Sequence, residues 1–375
     1  MEEYVVEDSA TIRSYFVTSS SKYVLYTRLG NCKSSKSCGE IVLFNIEEKK
    51  TTVLNVKITI PQSDLDFALN FVSLIDAPQI LFNQERTKVT KLPWIVLNTG
   101  RSITTISFDE LFTDEINSHE WHVDNNRDCI TSFDCKADNN GNINVFFSTR
   151  LGNLYYIKFS TAFKKWCLVK RFDDFANDSL TCVSFGHSGQ KNSQWEDRIG
   201  DIDNVLLSSL DNHLRFLVRQ KGIEYSAENE ILYSTFKVDN ILTSADYQVV
   251  KSRSPKSFTS ICCGNVTNLG CTVYKRTNRG EWIFLTFLEK PVDEKETVLT
   301  VNCQIVPGSQ ESEVVIYSGS ENGKLYEWTL NWKEIIVIDK KTHTVGGEGD
   351  VISNLMCVND FIYYLVNSER IGRIM

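Results

Sequence analysis

The stretch Val314 to Leu330, VVIYSGSENGKLYEWTL, constrains the fold of this chain more than any other. Val314, Ile316 and Ser318 alternate with Val315, Tyr317 and Gly319; after Ser320-Glu321-Asn322-Gly323, Leu325, Glu327 and Thr329 alternate with Tyr326, Trp328 and Leu330. Alternation at period two on both sides of Asn-Gly reads as an antiparallel hairpin. Asn-Gly predicts a type I′ turn, whose two central residues both need positive φ.

Weaker copies of this unit recur: KYVLYTRLG with GEIVLFNI, WIVLNTG with RSITTISF, NVFFSTRLG with NLYYIKF, NVLLSSLDN with HLRFLVRQ, CTVYKRTNRG with EWIFLTFL, and FIYYLVNSE with RIGRIM. Phe44, Ile106, Ile157, Leu217, Leu285 and Ile374 take the Trp328 position in them. Each unit has a candidate inner strand before its hairpin: TIRSYFVTS, DFALNFVSL, CITSFDCKA, LTCVSFG, SFTSICCG, TVLTVNCQIV and DVISNLMCV. Outer strands such as TTVLNVKITI, WCLVKRF and EIIVIDK follow most of them. Seven units of about four strands, with few segments at helical period, predict an all-β chain arranged by radial repetition.

The Ser-Gly-Ser strand end, the Glu-Asn-Gly turn and Trp328 resemble the central hairpin of a WD-repeat blade. Thr329 stands where that family usually has Asp, and the other units carry Asn45, Ser107, Lys158, Val218 and Thr286 there. The resemblance implies a divergent, WD-repeat-like, seven-bladed β-propeller. We expect a single domain over 1–375, with blades near 10–60, 64–125, 128–174, 179–253, 256–294, 296–342 and 349–375 plus 2–8. The seventh unit ends at its third strand, and the amino-terminal EYVVED is a spare strand to pair with it and close the ring.

Hydrophobic content of 42% with 23% charged residues is that of a globular protein, and a net charge of −8 argues against a nucleic-acid surface covering the whole molecule. No run approaches 18 apolar residues and MEEYVVEDSA is acidic, so an intracellular protein, cytoplasmic or nuclear, without a membrane partner is expected. Eleven cysteines, with no repeated CxxC, several of them inside apolar alternation, read as reduced buried thiols; Cys32 and Cys38 share a loop that reads as reduced too.

Chemistry is sparse. In HEWH, Glu120 and His122 share a strand face while His119 points away, which leaves too few ligands for zinc. Nucleophile elbows, P-loops and dinucleotide fingerprints are absent, and Gly347 to Asp350 reads as a turn. No catalytic, cofactor or metal residue is expected. Insertions at Leu74–Pro93, Gly186–Asp203, Gly222–Asp246, Gly30–Gly39 and Lys251–Lys256 are where scaffold loops would bind. Candidate partner-binding residues are Trp195 and Arg198 in the second of these, with Trp195 either an interface anchor or folded back on the core. Lys164, Lys165 and Trp166 on the third unit, and Arg276, Arg279 and Trp282 on the fifth, interleave basic and aromatic groups.

The resemblance favours a non-catalytic protein–protein interaction scaffold within an intracellular multiprotein complex. The alternatives are an accessory subunit of a nucleic-acid-modifying or RNA-processing enzyme, working through the basic and aromatic rim, and a hydrolase sited at the channel. The last needs polar and titratable residues converging at the inner strands, whereas those strands read Ser-Tyr-Phe, Asn-Phe-Val, Cys-Val-Ser and Ile-Cys-Cys.

Overall fold

The computed structural model describes residues 3–18, 20–30, 37–54, 56, 58–83, 86–112, 117–125, 127–138, 140–185, 187–188, 204–219, 231–237, 242–251, 258–266, 270–276, 282–290, 300–310 and 312–375. Among these, regular structure is β-strand apart from two short 3-10 turns, Gln62–Asp64 and Phe108–Phe112. The strands form seven sheets. From the inside outward, blade one is Ile12–Val17, Tyr23–Gly30, Ser37–Asn45 and Lys50–Val53, with Ile58–Ile60 also on its third strand. Blade two is Ala68–Asn83, Arg86–Thr99, Ser102–Ser107 and Ser118–His122; blade three is Ile130–Ala137, Asn142–Thr149, Leu154–Ser160 and Lys165–Phe172. Blade four is Leu180–Phe185, Asn204–Ser209, His213–Arg219 and Ile231–Lys237; blade five is Leu242–Lys251, Phe258–Val266, Gly270–Arg276 and Trp282–Glu289. Blade six is Thr300–Pro307, Glu313–Ser320, Lys324–Asn331 and Ile336–Thr344. Blade seven is Ile352–Val358, Phe361–Val366, Arg370–Ile374 and, outermost, Glu3–Glu7.

Consecutive inner strands touch all the way round, and Ile352–Val358 returns to Ile12–Val17, so the chain is a closed seven-bladed β-propeller. The amino-terminal strand completes the last blade as its sequence suggests, with Glu3 opposite Arg373 and Glu7 opposite Arg370. Asp8, just past that strand, ties the closure to blade one: its carboxylate accepts from Tyr26 Oη and Arg28 Nη1, both at 2.7 Å, while Arg28 Nε donates to Glu40 at 2.8 Å. Burial pushes Asp8 up, but the bonds from the Ala10 amide, Tyr26 and Arg28 outweigh it and hold the carboxyl below its ordinary range.

A repeat that the residue types hide links the blades near the axis. The fifth residue of an inner strand accepts from the amide of the sixth residue of the next one. Asp134 takes Phe185 N at 2.7 Å, Asp246 takes Ile305 N at 2.9 Å, and Met356 Sδ takes Val17 N at 3.4 Å. The inner strands thus carry two carboxylates that the sequence reading passed over, and both satisfy neighbouring backbone amides.

Four local expectations change. In the Ser320–Gly323 turn only Gly323 has positive φ (63°); three residues separate Ser320 from Lys324, and Ser320 Oγ accepts from the amides of Asn322 and Lys324. This is a type I turn closed by a left-handed glycine, not type I′. Blade five takes Leu242–Lys251 as its inner strand, so SFTSICCG moves to second place, CTVYK to third and EWIFLTFL, with Leu285, to the outer edge. The Leu74–Pro93 insertion is a continuous hairpin arm, paired from Val72–Leu97 out to Asn83–Arg86. Its last six rungs, from Pro78–Lys91 outward, extend roughly 20 Å. Finally, Cys38 is disulfide-bonded, against the reduced reading of its loop, while eight other cysteines are free thiols.

Candidate functional site

In blades three, five and six the outer strand carries a bulge, at Val169, Leu285 and Ile338, three to five residues from the turn that precedes it. A bulge breaks the row of free backbone groups that would otherwise recruit another strand. Around each bulge large apolar side chains are exposed: Phe163, Leu168 and Val169 on blade three, Ile283 and Phe284 on blade five, Ile335, Ile336 and Ile338 on blade six. Phe163 is 84% exposed.

The turn before the outer strand repeats as well. Lys49, Lys164 and Ile335, the last turn residues of blades one, three and six, all have positive φ (51°, 51° and 60°). Asn45 and Asn331 accept from two turn amides each, and Ser160 from one. Lysine tolerates that conformation at modest cost, but a β-branched isoleucine is poorly suited to it. Blade six nevertheless places Ile335 there and leaves it about half exposed.

The candidate basic and aromatic residues are distributed as follows. Lys164 pairs with Glu110 of blade two at 2.7 Å, and Lys165 is exposed. Trp166 is half-buried; its Nε1 donates to the His119 carbonyl at 3.0 Å and its ring lies 5.0 Å from Phe159. Trp282 sits edge-on to Phe216 of blade four at 5.0 Å, with the Arg276 guanidinium 5.0 Å over the same ring. Trp328 Nε1 donates to the Glu289 carbonyl of blade five, and Lys275 of that blade lies 4.8 Å over Trp332. Indoles on blades three, five and six thus reach back to the preceding blade, a role the sequence does not announce. Trp195, Arg198 and Arg279 lie outside the described residues.

The HEWH strand divides as its alternation requires. His119 is flanked by Trp94 and Phe159, at 6.5 and 5.4 Å between rings, on the blade-three side. Glu120 and His122 face blade one, 3.4 Å apart, and Ser102 Oγ is 2.6 Å from His122 Nδ1. These residues, with Arg101, Thr104 and Ser118, line a cleft of about 610 Å³ whose other wall is Val56, Ile58 and Pro61. Among the described residues no three His, Cys, Asp or Glu side chains converge as metal ligands. None of the described helices is long and apolar enough to cross a membrane.

No family model matches the chain, and no curated protein is similar to it in sequence. Solved structures do align. The structure of U3-55K covers 99% of this chain and 97% of its own, at 9% identity and a TM-score of 0.58. A catalytically inactive virginiamycin B lyase from Staphylococcus aureus with quinupristin covers 100% and 97%, at 12% identity and a TM-score of 0.56. At such identities the likeness is one of fold, and this chain is a divergent seven-bladed β-propeller.

Proposed function

We propose that this propeller is a non-catalytic interaction scaffold, a subunit of an intracellular multiprotein assembly. Its outer edges on blades three, five and six dock other protein subunits. The carrying observation is Ile335: a β-branched residue in a left-handed turn, exposed, beside exposed Ile336 and Ile338. Left-handed backbone costs an L-residue roughly 1–2 kcal/mol, and solvent exposure returns none of it. A side chain kept at a local loss and shown to solvent fits a surface that another protein covers. Lys165 and Lys170 beside Leu168 and Val169 give blade three a similar mixed edge. A protein-binding role also suits the fold, whose neighbours include a lyase as well as U3-55K, so that fold alone leaves catalysis open. The use of Asp134 and Asp246 as amide acceptors supports a structural rather than catalytic inner ring. A nucleic-acid rim has less support, because the Trp166 and Trp282 rings already pack against the preceding blades.

The test compares proteins that co-purify with the tagged full chain from its native cell. Ile335→Asn together with Ile338→Asp should remove a defined set of partners, while Val53→Asp on the blade-one edge should retain it. Retention of every partner by the blade-six variant would sink this reading.

A further inference from the structure

One face of blade two is left uncovered by its neighbour. Its third and outer strands pair Ser102 with His122, Thr104 with Glu120 and Ile106 with Ser118, three rungs whose side chains point toward blade one. There Ile106 packs with Leu25, Ile41 and Ile58 of blade one, and the two rungs beyond it face a gap. They floor the cleft of about 610 Å³, and Val56, Ile58 and Pro61 of the segment leaving blade one form its apolar wall. The Thr104 side chain is 2% exposed, yet its hydroxyl has no hydrogen-bond partner among the described residues. A buried hydroxyl on a cleft floor without a partner points to a group that arrives from outside.

Charge selects that group. Arg101 is held by Asp64 at 2.7 Å, so this pair contributes no net charge. Glu120 remains as the other carboxylate of the described lining, 3.4 Å from His122. An anion would meet repulsion here, whereas an ammonium or guanidinium would meet a carboxylate and a waiting hydroxyl acceptor. The apolar wall suits the aliphatic stem of a lysine or arginine.

We propose that this cleft receives a basic side chain, arginine or lysine, on an extended segment of a partner protein. The cationic head lies against Glu120 and donates to Thr104 Oγ1, and the stem runs along Val56 and Ile58. A cleft of this size exceeds one side chain, which favours a peptide over a free amino acid. The site is distinct from the blade-six edge, and either assignment can fail alone.

The test uses the full chain and the peptide acetyl-Ala-Ala-Arg-Ala-Ala-amide in calorimetric titration. Citrulline at the arginine position supplies a neutral isostere. We expect the arginine peptide to bind at least about tenfold more tightly than the citrulline one, and Glu120→Gln to remove about that factor. Thr104→Val should weaken binding severalfold without lowering the unfolding midpoint. Equal binding of the two peptides by the unmodified chain overturns the proposal whatever the variants do. So does undiminished binding by Glu120→Gln, or arginine amide alone binding as tightly as the peptide, which would make this a small-cation site.

Discussion

Blade two meets its two neighbours with the same pair of strands and opposite results. Toward blade three, Ile103, His119 and Trp121 alternate inward, and Trp94, Phe147, Tyr155, Phe159 and Trp166 close over them. Toward blade one, the intervening residues Ser102, Thr104, Glu120 and His122 face a cleft. Strand pairing is equally regular on both sides, so hydrogen bonding within the blade does not set the difference. It follows from which side chains alternate and whether the adjoining blade brings apolar bulk far enough out to meet them. Near the axis even the first interface is apolar, with Leu25 and Ile41 in the same cluster as Ile95, Leu97 and Ile106. Blades splay as they leave the axis, and a face without large rings opens at the rim.

The largest effect should come from the closed side. Trp94 is fully buried, its ring 5.1 Å from Phe159, and Trp94→Ala should cost about 3–5 kcal/mol in urea unfolding. Glu120→Ala, on the open side of the same blade, should cost under about 0.5 kcal/mol. Similar costs for the two would mean that the cleft is a structural seam rather than a free surface.

A third kind of junction is polar and nearly closed. Blades seven and one are joined through Asp8, Tyr26 and Arg28, and Asp8→Ala should cost about 1–3 kcal/mol, less than Trp94→Ala because Arg28 keeps Glu40. The sign with pH follows from the lowered Asp8 carboxyl. Its contribution is present above the unfolded value near 4 and is lost as acid takes pH down through the folded value. Unfolding midpoints at neutral and at acid pH, compared between the native chain and Asp8→Ala, should converge at the acid end.

How much of this could be read in advance depended on which signals compete. Seven units and the EYVVED closure were legible because alternation and turn residues repeat even where Trp-Asp is gone. Blade five misled because two Asn-x-Gly turns stand close together, Asn268-Leu269-Gly270 and Asn278-Arg279-Gly280. The first precedes the third strand: Gly270 has φ of 146°, and a Cβ there would lie 2.0 Å from the Leu288 carbonyl oxygen. Choosing the second turn placed each strand one position too far inward and hid Asp246. Period two correctly put Glu120 and His122 on one face and His119 on the other. It carries no information about what the next blade sets opposite them, so the cleft was not legible. The indoles of Trp166 and Trp282 could be seen, but reaching back across a blade junction is a property of the closed ring.

His119 sharpens the contrast within one strand. Burial against the rings lowers its pKa, the Lys164 charge adds to this, and Glu110 opposes it. The folded state therefore favours the neutral imidazole. Stability should hold above the unfolded value near 6.5 and fall as pH drops through the lower folded one, because the unfolded chain takes the proton first. Between pH 7 and 5 the unfolding midpoint should decline modestly, and His119→Leu should flatten that part of the profile. An unchanged slope would show that the closed face is not what disfavours the charge.

The smallest effect is the most discriminating. Removing a hydroxyl from a satisfied buried site normally destabilises, because its partner is left without a bond. Thr104 Oγ1 has no such partner among the described residues, and valine has nearly the same shape. Thr104→Val should therefore leave stability unchanged or raise it by a few tenths of a kcal/mol, of order the desolvation it removes. Ser102→Ala on the neighbouring rung breaks the 2.6 Å contact with His122 and should cost about 0.5–1.5 kcal/mol. If Thr104→Val proves the more damaging of the two, the hydroxyl has a partner within the folded chain, and the open face of blade two is not waiting for one.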